Sequence, residues 1–268
     1  MTSYGYCPTV HGQLHYAESG AGPAVLLLHQ TPRSHDEYRD VLPILAGAGF
    51  RAIAMDTRGF GRSAAPPAAA TIEDYADGVT ALLDALGLDR VHLVGHHTGG
   101  VVAVEVAARW PDRVDRLVLS STPYLDAEAR AARAGRPPID DGPLSPDGAH
   151  LAQLWQRRQA FYPAGRPDLL ARFVRDALAA SSLEDGHRAV SRYRMEERLP
   201  AVRARTLLIG ADADPYAFVD LERMRAALPA AACVVLAGGG VPLPDQMPAE
   251  FAAAVLGFLP TPNAEELA

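Results

Sequence analysis

One stretch, Val91-His92-Leu93-Val94-Gly95-His96-His97-Thr98-Gly99-Gly100, restricts the fold of this chain more than any other. Residues 91–95 are an apolar run of strand length, and the small residues after it open a helix, with a tight turn between. Gly95 and Gly99 bracket His97 in the spacing of a nucleophile elbow, G-x-S-x-G, with histidine in the serine position. Each glycine has a steric task in such a turn. Together they let helix and sheet approach closely while the central residue takes a strained conformation. The frame predicts an α/β sheet; His97 removes the nucleophile that the frame normally carries.

The rest of the chain has the matching rhythm. Short apolar runs at residues 24–29, 51–55, 91–95, 116–119, 206–210 and 233–236 alternate with helical patterns, the signature of a mostly parallel sheet covered on both faces. Tyr38, Val41, Leu42 and Leu45 share one helical face, as do Ile72, Tyr75, Val79, Leu82 and Leu86. Residues 4–10 and 14–17 predict an antiparallel hairpin around Gly12. From residue 122 to 199 the strand rhythm stops. A proline- and glycine-rich acidic stretch (135–148) leads into helical patterns at 151–162, 169–178 and 183–199, which predict a helical cap. The expected division is a core of residues 1–122 and 200–268 with a cap at 123–199, and a site at the carboxyl ends of the strands beneath it.

Composition narrows the chemistry. At 268 residues and 49% apolar, the chain can bury a large core. It has no apolar run of the roughly 18–20 residues that a membrane span needs, and its first residues lack the pattern of a signal peptide, so a cytoplasmic protein is expected. The net charge of −7 argues against nucleic acid and against an anionic membrane as partner. A small-molecule substrate remains, acted on by a monomer or homodimer. All 25 basic side chains are arginine, which removes lysine Schiff bases from consideration. Cys7 and Cys233 are isolated thiols, and no metal-ligand spacing occurs, so neither metal nor cofactor is expected.

Four segments, in family order and spread over nearly the whole chain, resemble the α/β-hydrolase superfamily. They are Leu28-His29-Gln30-Thr31-Pro32 after a strand, Asp56-Thr57-Arg58-Gly59-Phe60-Gly61-Arg62-Ser63, the elbow, and Ile209-Gly210-Ala211-Asp212-Ala213-Asp214-Pro215. The resemblance implies a doubly wound, mostly parallel eight-stranded sheet with a helical cap. It also implies an oxyanion hole from the backbone amides of Thr31 and Thr98, and an acid after the seventh strand. Asp214 is the first choice and Asp212 the second, with Asp126, after the sixth strand, the third. His29 would anchor its loop. Gln30 stands where the family has glycine, and either lines the pocket or stiffens the turn.

The departures from the family matter as much. No G-x-S-x-G, G-x-C-x-G or G-x-D-x-G occurs, and no histidine follows His187; Val241 occupies the place of the late catalytic histidine. Losing a serine nucleophile typically costs on the order of 10⁶ in kcat, so ordinary serine-esterase chemistry is not expected. An imidazole at residue 97 extends roughly 2 Å farther than a serine hydroxyl, into space the late histidine leaves free. There the acid would fix its tautomer. The expected function is a cofactor-independent enzyme acting on a small carbonyl-containing molecule through a His97–Asp214 acid–base dyad, by hydrolase or lyase/cyclase-type chemistry. The alternative is a non-catalytic, small-molecule-binding pseudohydrolase. His29, Gln30, Trp155, Tyr193 and Val241 are the candidate pocket residues, and His96 is expected to point away, supporting the turn.

Overall fold

The computed structural model of the chain describes residues 1–141 and 144–262. Its eight strands are β1 (Ser3–Thr9), β2 (Gly12–Ser19), β3 (Ala24–Leu28), β4 (Arg51–Met55), β5 (Val91–His96), β6 (Val114–Ser120), β7 (Arg205–Ala211) and β8 (Ala232–Leu236). They form one sheet in the order β1-β2-β4-β3-β5-β6-β7-β8. The β1–β2 hairpin and the β2–β4 pair are antiparallel, and every later pair is parallel. This is the α/β-hydrolase fold, with a strand at each run the sequence marked.

Alternate side chains of a strand point to opposite faces, and both faces here are covered. Leu26 and Leu28 of β3 join one core with Ile53, Leu93 and Leu119. Val25 and Leu27 join the other, with Ala52, Val94 and Ile209. Helices α2 (Ile72–Ala85) and α3 (Thr98–Arg109) seal the first core. The second lies under α1 (Leu42–Gly47), α10 (Leu243–Gln246) and α11 (Pro248–Phe258). Helix α2 starts at a reciprocal cap, in which the Thr71 hydroxyl accepts from the Asp74 amide and the Asp74 carboxylate accepts from the Thr71 amide. Helix α9 (Leu221–Ala227) connects β7 to β8.

Between β6 and β7 lie α4 (Ala127–Arg133), α5 (Ala149–Gln159), α6 (Pro167–Ala179), α7 (Asp185–Arg192) and α8 (Met195–Arg198). Leu154, Leu169, Leu170 and Phe173 make a small core of their own between α5 and α6.

Two helical readings need adjustment. The stripe from Tyr38 to Leu45 is split between a single 3₁₀ turn, His35–Tyr38, and α1. Pro43 explains the split, because within a longer helix its ring would collide with the carbonyl of Arg39. The run 183–199 is likewise broken where Tyr193 takes an extended conformation between α7 and α8.

Helix α6 is tied to the core by a buried ionic network. Arg33, fully buried in the loop after β3, places Nε 2.8 Å from Asp176 of α6 and pairs through Nη1 with Asp245 of α10. Arg172 of α6 reaches Asp36 and Asp40 at 2.8 Å and Asp245 at 3.0 Å. With Glu37 at 3.9 Å from Arg33, five carboxylates surround these two guanidinium groups, and Arg39 and Arg175 reach Asp36 from outside at 3.2 and 3.4 Å. Negative charge is in surplus, and burial, only partly offset by Arg33, pushes Glu37 up to about 7. Among the described residues no helix is long and apolar enough to cross a membrane.

Candidate active site

The elbow forms as its sequence requires. His97 adopts φ 48° and ψ −114°, a region that costs a non-glycine residue about 1–3 kcal/mol. The turn is over-determined around it. The His97 amide donates to the Ser120 carbonyl at 3.0 Å, and its carbonyl accepts from the Gly100 and Val101 amides at 2.9 and 3.1 Å. A side chain on Gly99 would begin 2.0 Å from the Leu28 carbonyl oxygen, and one on Gly95 would begin 2.3 Å from the Gly99 carbonyl oxygen. Only glycine lets α3 lie this close to the sheet.

Nε2 of His97 lies 2.8 Å from Oδ2 of Asp214 in the loop after β7. The contact is bent rather than a straight hydrogen bond, and neither atom has another partner. Asp214 is itself fixed, its Oδ1 accepting from the amides of Tyr216 and Ala217 at 2.9 and 3.3 Å. Burial would raise its carboxyl, but His97 and the Tyr216 amide outweigh burial and hold it below the usual carboxylate range. Asp212 is engaged elsewhere, accepting from the Gly238 amide at 2.6 Å. Asp126 caps α4 through the Ala129 amide at 2.8 Å and pairs with Arg223.

Two of the family departures, Gln30 and Val241, meet His96 at one atom. The Val241 carbonyl accepts from Nε2 of His96 at 2.8 Å and from the Gln30 side-chain amide at 3.3 Å. His96 is therefore the Nε2–H tautomer, with Nδ1 facing the Ser120 hydroxyl at 3.0 Å. It is fully buried, and burial followed by the nearby His97 lowers its pKa, so it is a neutral strut. The expectation that His96 points away is thus modified, for its ring stands edge-on to His97 at 4.6 Å. Gln30 both stiffens its turn, by donating its amide and side chain to Glu37 at 2.9 and 2.6 Å, and faces the cavity above His97.

That cavity holds about 910 Å³, and His97, Thr98, Thr31, Gln30, Tyr216 and Val241 line its floor side. Thr98 opens α3, whose first amides have no carbonyl partner within the helix. Three pocket candidates lie outside this lining. His29 is a buried strut that donates Nδ1–H to the Gln30 carbonyl at 2.8 Å and accepts the Thr57 amide at Nε2 at 3.0 Å. Trp155 packs on the small core of α5 and α6. Tyr193 is buried against α3, its hydroxyl 2.7 Å from Glu105. Both aromatics serve packing rather than the wall.

Sequence reasoning missed a second cluster bordering the same cavity. Asp140, 2% exposed, pairs through both oxygens with Arg158 of α5 and lies 3.3 Å from Nε2 of His187 on α7. The amides of Asp140 and Asp141 donate to Glu184 at 2.5 and 3.1 Å. His187 and Arg158 both line the cavity. The only sequence signal was that His187 is the last histidine. Elsewhere, the potential ligand atoms of His15, His35 and Asp56 lie within 4.8 Å of one another. Both Asp56 oxygens are already engaged there by the two rings at 2.8 Å and by the His35 and Arg62 amides, which makes this set a brace for the 56–63 turn.

A family model described as alpha/beta hydrolase fold matches residues 23–242. Among curated proteins, the chain is 41% identical over 130 residues to bifunctional epoxide hydrolase 2 of Sus scrofa, covering 46% of this chain and 23% of that one. Over 114 residues it is 43% identical to epoxide hydrolase 2 of Siraitia grosvenorii, covering 42% of this chain and 36% of that one. The matched part is less than half the length of these relatives. Among solved structures, a hydrolase from Pseudomonas aeruginosa PA01 superposes with a TM-score of 0.77 at 25% identity, covering 96% of this chain and 98% of that one. A bromoperoxidase from Bacillus anthracis gives 0.81 at 24% identity, covering 96% and 99%, a likeness of fold.

Proposed function

We propose, for a chain that belongs to the alpha/beta hydrolase fold family, that it is an atypical enzyme of that fold in which His97 is the acid–base group and Asp214 its orienter. The observation that carries this is the 2.8 Å contact of His97 Nε2 with Asp214, beside a cavity large enough for a small organic molecule. With Nε2 turned to the carboxylate, Nδ1 is the nitrogen left for substrate. It takes a proton, and the imidazolium so formed is stabilised by the ionised Asp214. The amides of Thr31 and Thr98 stabilise the oxyanion or enolate that develops, aided by the positive end of α3. Helices α4–α8 act as the cap that shields the charge from water.

These parts suit a small carbonyl compound, by proton abstraction, carbon–carbon cleavage, cyclisation or water-activated hydrolysis, with no resident cofactor. The chemistry of epoxide hydrolase relatives is not carried over, because this chain has histidine where the elbow presents a nucleophile. Proton NMR in D₂O of a panel of small lactones, esters and β-dicarbonyl compounds tests the reading. Wild type is expected to convert, or exchange an α-proton of, at least one compound. His97→Ala should lose this by about 10²–10⁴. Labelling of a serine by a fluorophosphonate, or ligand uptake without reaction in wild type, would overturn it, the second outcome favouring a binding protein.

A further inference from the structure

The cavity is faced by a second histidine–aspartate pair, on which the reaction described above places no demand. His187 sits in the first turns of α7 with its side chain 22% exposed, and its Nε2 lies 3.3 Å from an Asp140 oxygen. Asp140 cannot turn away. Arg158 engages both of its oxygens, and Glu184 holds its amide. A buried carboxylate fixed by a guanidinium fork and presented to an imidazole is a costly arrangement, since ions lose their hydration on burial. Burial would raise its carboxyl, yet the histidine and arginine outweigh burial and keep it low. A salt bridge between Asp140 and Arg158 alone would suffice to join the loop to α5. The imidazole adds nothing to that joint, but its residue lines the cavity.

Its position relative to the elbow follows from the preceding residue. Gly186 rests directly on Thr31, so that a side chain there would begin 2.0 Å from the Thr31 hydroxyl oxygen. The start of α7 thus rides on the loop that borders the His97 side of the cavity, and both histidines line the same space. Asp140 from the loop contacts His187 directly, and Arg157 and Arg158 from α5 and Glu184 and Arg188 from its own segment are the charged groups that line the cavity with it.

We propose that His187 is a second catalytic residue, the general acid that returns a proton to the substrate, with Asp140 as its positioning residue. The inference rests on the reading of His97 as base. His97 Nδ1 removes a proton from carbon, the C–H electron pair moves into the substrate, a bond to the leaving atom breaks, and that atom takes the proton of His187 Nδ1–H. One proton enters the protein and one leaves, and exchange with water resets both rings. Two imidazoles, one needed neutral and one needed protonated, suit elimination, ring opening and isomerisation better than simple ester hydrolysis.

Benzisoxazoles are a suitable probe, because base removal of the ring C–H proton forms a nitrile as the N–O bond breaks, leaving a phenolate. A nitro-substituted phenolate leaves without help, whereas its methoxy analogue needs protonation. Wild type is expected to accelerate both over free imidazole, and His97→Ala to lose both. His187→Gln should lower kcat/KM for the methoxy compound by about tenfold or more while leaving the nitro compound within about twofold. On the methoxy compound alone, the wild-type pH profile should show an alkaline limb, a readout that does not depend on the variant folding. Equal effects of His187→Gln on both compounds, or an absent alkaline limb, would overturn the role of His187 while leaving that of His97 intact. No acceleration of either compound by wild type would overturn both.

Discussion

The residues gathered around the elbow decide what this chain can do, and each answers another. A histidine at residue 97 is only useful if something orients it, and Asp214 lies 2.8 Å from one nitrogen. Asp214→Asn should therefore cost activity through the wrong tautomer as well as some stability through the lost charge. A drop of roughly 10² or more in turnover is expected at a temperature where circular dichroism shows the variant still folded. The loop that would bring a late histidine is instead held by its Val241 carbonyl, to which His96 and Gln30 both donate. Substituting His96 by phenylalanine removes one of these donors and the acceptor for the Ser120 hydroxyl. A loss of about 1–3 kcal/mol in urea unfolding is expected. Much of this was legible. The elbow, the missing late histidine and the choice of Asp214 all came from motif spacing, because those motifs encode local turns. The joint role of His96, Gln30 and Val241 was not, because it joins residues as far apart as 30 and 241 through a backbone atom. The same holds for His187, whose Asp140 lies in a stretch whose composition reads only as loop.

Elements were easier to read where one face is apolar and harder where it is not. All eight strands coincide with apolar runs or with the predicted hairpin. Helix α4 was missed because Ala-Glu-Ala-Arg-Ala-Ala-Arg offers no stripe, with Ala129 its one buried residue. The aromatic candidates Trp155 and Tyr193 show the complementary error, in which helical spacing marks packing and says nothing about which side faces a ligand. Two changes test how the elements are held. Gly99→Ala places a methyl group against a strand carbonyl that cannot retreat, and about 3 kcal/mol of destabilisation is expected by chemical denaturation. Thr71→Ala removes half of the reciprocal cap of α2, for which about 1 kcal/mol is expected in the same measurement.

Across the whole molecule, the surplus of carboxylates around Arg33 and Arg172 links stability to pH. Glu37 has a folded pKa of about 7, above its usual 4.5, so the folded chain binds its proton more tightly than the unfolded chain does. Its contribution is fully present below about pH 4.5, declines as pH rises through this window, and is gone above about 7. Asp56 and Asp214, both lowered, act in the opposite sense, and the stability they give is lost in acid as pH falls through their folded pKa values. Urea unfolding at about pH 5 and about pH 8 should show that Glu37→Gln selectively flattens the neutral part of the profile. An unchanged slope would place the shared proton elsewhere in the network. None of this was foreseeable, since Arg33 meets Asp176 and Asp245 only once the chain is folded.

The same knot of charges also fixes how freely α6 can move on the core. Swinging α6 away from the core would take Asp176 from Arg33 and Arg172 from Asp36, Asp40 and Asp245, and breaking such a buried pair costs about 3–5 kcal/mol. A hinged opening on that side is therefore rarer than the closed form by roughly a hundredfold to several thousandfold. Exposed Arg136, Pro137 and Ile139 border the cavity, so a molecule can enter there while that network stays whole.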